Sequence, residues 1–410
     1  MSEWEFLQIK DLVSDGSLEK PLDGNHGGIH PKGADFVSSG IPFVMASDIN
    51  NSQIDLVGCK FISKQQALSL RKGFAKTGDV LLTHKATLGR TAIVPPLKTD
   101  FIMLTPQVTY YRVKDKNRIN NHYLKYYFDT PDFQQTLANH GDAGSTRAYI
   151  GITAQHDLPV ILPPINEQKA IASVLSSLDD KIDLLHHQNK TLELMAETMF
   201  RQWFILDETG ASVNLEQIID FNPKRTLIKS QDATYLDMAG LSTVIFRANG
   251  YYRRPFSSGT KFTKRDTLLA RITPCLENGK AAYIDFLDDN ETGWGSTEFI
   301  VMRPKKEIHP FISYIMCRNP DFKEYAESCM EGSTGRQRVN LDHLKKFNVN
   351  LPTEASLRII NELLDSFESK LINNSKQIDS LEKLRDTLLP KLMSGEVRVQ
   401  YAEEAIASVA

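Results

Sequence analysis

Cysteine is scarce and scattered in this chain of 410 residues: Cys59, Cys275, Cys317 and Cys329 form no C-x-x-C pair. That pattern argues against a disulfide framework and against zinc, and it suits a reducing compartment in which all four act as packing residues. Long apolar runs are missing as well, with no stretch of about 18 residues able to span a bilayer. The opening residues MSEWEFLQIK lack the basic and apolar regions of a secretory signal, so a cytoplasmic protein with no membrane partner is expected. Catalytic signatures are also absent. The chain has no N-P-P-Y or D-P-P-Y to hold a flipped base, no G-x-x-x-x-G-K-[ST] phosphate cradle, and neither G-x-S-x-G nor H-E-x-x-H. The nearest analogue of a phosphate loop, THKATLGRT, lacks the required glycine and lysine. No catalytic residue, metal or cofactor is therefore assigned to this chain.

Excess charge of one sign is missing overall, since 48 Lys+Arg face 51 Asp+Glu. Its distribution is uneven, however. Residues 1–163 hold 17 basic and 16 acidic side chains and residues 210–352 hold 20 and 17, whereas 164–209 hold 4 and 8 and 353–410 hold 7 and 10. The large blocks are mildly basic and the intervening segments acidic, which permits nucleic-acid binding by the blocks without establishing it.

What is present is a repeat. FVMAS (43–47) faces LDMAG (236–240), and GDVLLTHKATLGRTAIV (78–94) faces RDTLLARITPCLENGKAAYI (265–284). TPDFQQTLANHGDAGST (130–146) faces NPDFKEYAESCMEGST (319–334), and LPPINEQKAIASVLSSLDDKI (162–182) faces LPTEASLRIINELLDSFESKL (351–371). Order is kept and the offsets stay between 187 and 193, so duplicated domains are expected. Short apolar runs bounded by Gly, Pro, Asn and Asp read as strands. Two similar α+β blocks result, at 1–163 and 207–352, with long helices over 164–206 and 353–394 and a short tail over 395–410. Pro390 is expected to kink or end the second helix, and Gly395 to terminate it.

In both long segments apolar residues step by four and three, from Ile171, Leu175, Leu178 and Ile182 onward and from Ile360, Leu364, Phe367 and Leu371 onward. This is a coiled-coil seam, since a helix lying singly on a core would show a wider apolar face. Asn189 falls at an a position and Asn374 at a d position, which face each other in an antiparallel pair. That register sets Leu185 against Ile378 and Trp203 against Ile360, and an Asn facing hydrocarbon instead would cost about 1–3 kcal/mol. Helices of about 40 residues span about 60 Å, so an antiparallel, pseudo-two-fold pair would act as a ruler between the blocks.

Other residues invite chemistry but have plainer readings. His26 and His30 have metal-like spacing, yet Gly27 and Gly28 disfavour the helix that would align them. His186 and His187 fall on the solvent side of the seam, as do Asp179, Asp180 and Asp183, which read as helix surface rather than a carboxylate site. Phe200 and Trp203 read as core.

The layout resembles the specificity subunit of type I restriction-modification systems over almost the whole chain. The resemblance is carried by residues 158–204, by GSTRAYIGIT and GSTGRQRVN before the two proline-marked helices, by LLARITPCLENGKAA, and by the closing LRDTLLPKLMSGEV. It implies two target-recognition domains reading the halves of a bipartite double-stranded DNA site, with helices that set the unread spacer. It also implies docking of methyltransferase subunits, two of them, which would use S-adenosylmethionine, and of restriction subunits. The second helix entrance lacks the Glu-Gln of the first, which weakens any claim that both entrances dock a partner identically. A coiled-coil scaffold that binds only proteins is the alternative.

DNA readers need cations for phosphates and planar hydrogen-bonders for base edges. One pair of equivalent loops supplies His84, Lys85, Thr87 and Arg90 in the first copy and Arg271, Asn278 and Lys280 in the second. The other supplies Ser145, Thr146 and Arg147 against Ser333, Thr334, Arg336, Gln337 and Arg338. In both copies a glycine precedes a cation, Gly89-Arg90 and Gly279-Lys280, which would let a backbone approach closely. Solvated turn charges would produce the same pattern.

Overall fold

A computed structural model describes residues 4–141, 149–207, 209–305, 307–333 and 335–399. The chain divides into two compact units, residues 1–182 with 379–410, and residues 183–378. In the first unit the runs VLLTHK and VTYY are apolar enough to be buried on both faces, so they become central strands. Val80–Lys85 and Val108–Tyr111 pair antiparallel, flanked by Thr87–Ile93 and Leu22–Asp23. A second, five-stranded sheet contains Ile41–Val44 parallel to Ile102–Leu104. Asn120 caps the helix Asn121–Asp129 by accepting the Tyr123 amide. That helix and the next, Pro131–Gly141, bring Phe128 and Phe133 together, with Phe128 also 4.9 Å from Tyr111.

The second unit repeats this plan. Thr267–Ala270 and Phe299–Pro304 are its central antiparallel strands, between Ala281–Tyr283 and Ile219–Phe221. Asp232–Leu236 lies parallel to Thr292–Gly295 in the other sheet, and helices Ile312–Arg318 and Pro320–Ser328 follow. Each unit is closed by an antiparallel pair that ends at a long helix, Glu5–Gln8 with Pro159–Leu162 and Ala211–Asn214 with Asn348–Leu351.

The long helices, α1 (Ile165–Phe200) and α2 (Glu354–Met393), contribute to both units. In the second unit Asn374 donates to the Asn189 side-chain oxygen at 2.8 Å, and Asn189 donates to the Ser375 hydroxyl at 3.4 Å. Both asparagines are buried, and Asn374 Oδ1 has no partner among the described residues. Pro390 does not end α2, which continues to Met393, and Gly395 follows at φ +75°. A proline in a last turn disturbs few bonds, because the helix has almost run out of ladder.

An amide bracket ties each helix entrance to its own domain. Gln168 is 1% exposed. It accepts the Asn120 amide at 3.0 Å and donates to the Arg118 and Pro163 carbonyls at 3.1 and 2.8 Å. In the second unit Leu357 occupies the equivalent position, and Asn361, one turn later, takes over. It accepts the His309 amide at 3.1 Å and donates to the Glu307 carbonyl at 3.0 Å. Since Gln168 faces inward, its absence from the second copy is an internal substitution, compensated by Asn361.

Asp179 is corrected from solvent-facing to half-buried. It accepts the Tyr126 hydroxyl at 2.7 Å and Arg385 Nη1 at 3.1 Å, with Lys125 Nζ at 3.6 Å. Helix Asn121–Asp129 packs over this flank, a tertiary contact that heptad position alone does not reveal.

Candidate nucleic-acid interface

The hairpin of strands Val80–Lys85 and Thr87–Ile93 turns at Ala86, held at φ +68°, so that Lys85 pairs with Thr87. Lys85 is exposed and lies over the exposed ring of Tyr149, 5.6 Å from its centroid. Tyr149 was not singled out from sequence, because the lysine it meets is 64 residues away in the chain.

His84 is corrected from contact residue to internal support, because its side chain is fully buried. Its Nδ1 donates to the Ile150 carbonyl at 2.9 Å, and its Nε2 lies 3.9 Å from Asp23 without a hydrogen-bond partner among the described residues. Burial lowers its pKa. Asp23, itself buried, also receives Lys72 and His26 Nε2, the latter at 2.7 Å. His30 turns instead to the Asn25 carbonyl, so the two histidines of HGGIH do not converge.

Arg90 is on the surface, but its Nη1 donates to Asn50 Oδ1 at 2.6 Å and the Ile49 carbonyl at 2.9 Å. Gly89 is buried at φ +87°, and a Cβ there would lie 2.0 Å from Gln134 Oε1. The left-handed backbone and the close Gln134 side chain give this glycine a role in the protein's own fold. Ser145, Thr146 and Arg147 lie outside the described residues, as does Thr334.

In the second unit the two expected loops are zipped together. The Val339 amide donates to the Arg271 carbonyl at 2.8 Å, Arg271 Nη2 donates to the Val339 carbonyl at 3.0 Å, and Thr273 pairs with Gln337 through backbone and hydroxyl. Arg338 makes a forked pair with Glu298 at 2.7–3.0 Å, which holds the Glu298 carboxyl below its ordinary value. Lys280 Nζ is bonded to the Met238 carbonyl at 3.0 Å. Arg271, Arg338 and Lys280 thus act as struts, while Asn278, Ser333 and Arg336 are exposed at the loop tips and Gln337 is partly so. The loop Ser242–Ile245, with Val244 78% exposed, borders this surface and was missed because nothing in its composition marks it.

Two buried carboxylates of this unit behave oppositely. Burial pushes Glu193 up to about 7, against hydrogen bonding from Tyr314. Burial also raises Glu368, but hydrogen bonds from His309 and Tyr283 and the Arg265 guanidinium together hold it at about 2. His309, Asp365 and Glu368 place ligand-type atoms within 4.8 Å of one another. Arg265 Nη2 lies 2.9 Å from His309 Nε2 and 2.6 Å from Glu368. The guanidinium fills the space a cation would need, so the residues present do not suit a metal.

A family model described as the type I restriction modification DNA specificity domain matches residues 1–194 and 208–383, one match for each repeat. The type I restriction enzyme MjaIX specificity subunit of Methanocaldococcus jannaschii is 24% identical over 430 residues, covering 97% of this chain and 94% of that protein. The EcoEI specificity subunit of Escherichia coli is 27% identical over 213 residues, covering 49% of this chain and 35% of that protein. Among solved structures, the S subunit of a type I restriction-modification system from M. genitalium is alike in fold. Its TM-score is 0.57 at 16% identity, covering 95% of this chain and 96% of that one.

Proposed function

Because the chain belongs to the type I restriction-modification DNA specificity family, we propose that it is a DNA sequence-specificity subunit whose two units each read one half of a bipartite site. The carrying observation is the duplication itself: each unit has equivalent central strands, and the segment after the first of them has an exposed polar tip backed by a cation bonded within the protein. Two covalently joined but non-identical readers suit a split, non-palindromic site. Chemistry comes from partners. Methyltransferase subunits, two per chain, dock on the long helices and use S-adenosylmethionine to methylate an adenine amino group, and restriction subunits join that complex.

The test is to map methylated adenines in a host making the chain with its cognate methyltransferase subunit, and in one lacking the chain. A split motif that requires the chain supports the function, and exchanging residues 210–352 should then change one half only. An active, bound methyltransferase with no new motif would favour a protein-binding scaffold.

A further inference from the structure

In each unit the loop after the first central strand lies against a second loop, and an arginine helps to tie the two together. In the second unit this is Arg318, the last residue of an otherwise buried helix. Its Nη1 donates to the Gly279 and Thr243 carbonyls, both at 3.0 Å, and its Nη2 to those of Ile245 at 3.1 Å and Ser242 at 3.4 Å. Its Nε donates to the Tyr314 hydroxyl at 2.8 Å, which donates to the buried Glu193 carboxylate at 2.9 Å. Glu193 also accepts from the Phe246 backbone, just beyond the same loop. The guanidinium is therefore spent on the protein's own carbonyls, with a braced hydroxyl behind it.

The first unit reaches the same end with other residues. Arg90 reaches from the hairpin to the Ile49 carbonyl, Asn50 Oδ1 and, at 3.5 Å, the Ala46 carbonyl. Gln134 donates to the Gly89 carbonyl at 2.8 Å. Gly89 and Gly279 are repeat equivalents, as are the loops around 46–50 and 239–243. The same two loops are locked in both copies: Lys280, the repeat equivalent of Arg90, reaches the Met238 carbonyl at 3.0 Å, and in the second unit Arg318 adds a further tie from another element. What the copies share is a rigid joint between loops, which lowers the ordering cost of binding.

We propose that Arg318, braced by Tyr314, and Arg90 are positioning residues for sequence readout, each fixing the paired loops of its own unit so that their tips meet one half-site together. In the second unit those tips are Val244, whose exposed methyls suit a thymine methyl group, and Asn278, whose amide suits adenine. This assignment rests on the DNA-reading function above.

The experiment uses the full chain with its methyltransferase subunits and a library holding every single-base change in both half-sites. Arg318→Ala and Tyr314→Phe should each lower the preference for the cognate base about tenfold at positions within one half, and by less than about twofold in the other. Arg90→Ala should give the mirror result. The spared half reports that the complex has assembled; if Arg318→Ala does not accumulate, Tyr314→Phe and Arg318→Lys carry the test. Equal loss in both halves, or unchanged discrimination beside a wild type that reads a split motif, overturns the positioning role. A wild type with no split motif overturns the underlying function, and the assignment falls with it.

Discussion

Gln168→Leu copies the residue that the second unit carries at the equivalent position, and it should nevertheless destabilise the first unit. Three backbone groups lose their partner: the Asn120 amide and the Arg118 and Pro163 carbonyls. At about 1 kcal/mol for each lost bond, partly offset by the apolar gain of leucine, the cost is about 2–3 kcal/mol. Adding Ala172→Asn places an amide one turn later, where Asn361 stands in the second unit, and should recover about half of the loss. The reverse pair, Leu357→Gln with Asn361→Ala, should be tolerated better than Asn361→Ala alone. Urea unfolding of the full chain gives the energies, and hydrogen exchange at the Asn120 amide reports the bracket directly. Unaltered Asn120 exchange in Gln168→Leu, or no recovery on adding Ala172→Asn, would refute the reasoning that one amide clamp has moved by a turn.

The asparagine pair should behave as a unit. Asn189→Leu alone leaves Asn374 with only the longer bond to Gln188 Oε1 at 3.3 Å, at a cost of about 1–3 kcal/mol, whereas the double change to leucine should be near neutral in stability; a double-mutant cycle with no coupling would contradict the pairing. Glu193 titrates in the fold at about 7, above its ordinary 4.5, so the folded unit holds an extra proton between those values and loses stability as pH rises through them. The drop across that window is about 3 kcal/mol, and Glu193→Gln should flatten the urea-midpoint difference between pH 5 and pH 7.5. Glu368, held at about 2, acts in the other direction: its contribution is present above about pH 4.5 and is lost as pH falls towards 2. Glu368→Gln should therefore lessen the acid sensitivity of the second unit, and a steeper acid transition would contradict the assignment.

The duplication, the α+β blocks, the two long helices and the Asn189–Asn374 register were legible in the sequence because they are carried by repetition and period, which survive without coordinates. So was the placing of strands such as Val80–Lys85, whose apolar run admits few other folds. The roles of individual loop residues were not legible. His84 looks like a contact group in the string, but its side chain is buried beside Asp23. Arg90, Arg271 and Arg338 look like free cations, yet each is spent on a carbonyl or carboxylate brought in from 40 or more residues away. Arg318 had one available signal, a lone arginine ending a buried helix, but its carbonyl partners lie 39 to 76 residues upstream. By itself the sequence determined the pattern of elements, since that depends on local period and composition; tertiary structure alone decided which charges remain free to meet a ligand, because hydrogen-bond partners are chosen by proximity in space and proximity is a property of the packed chain.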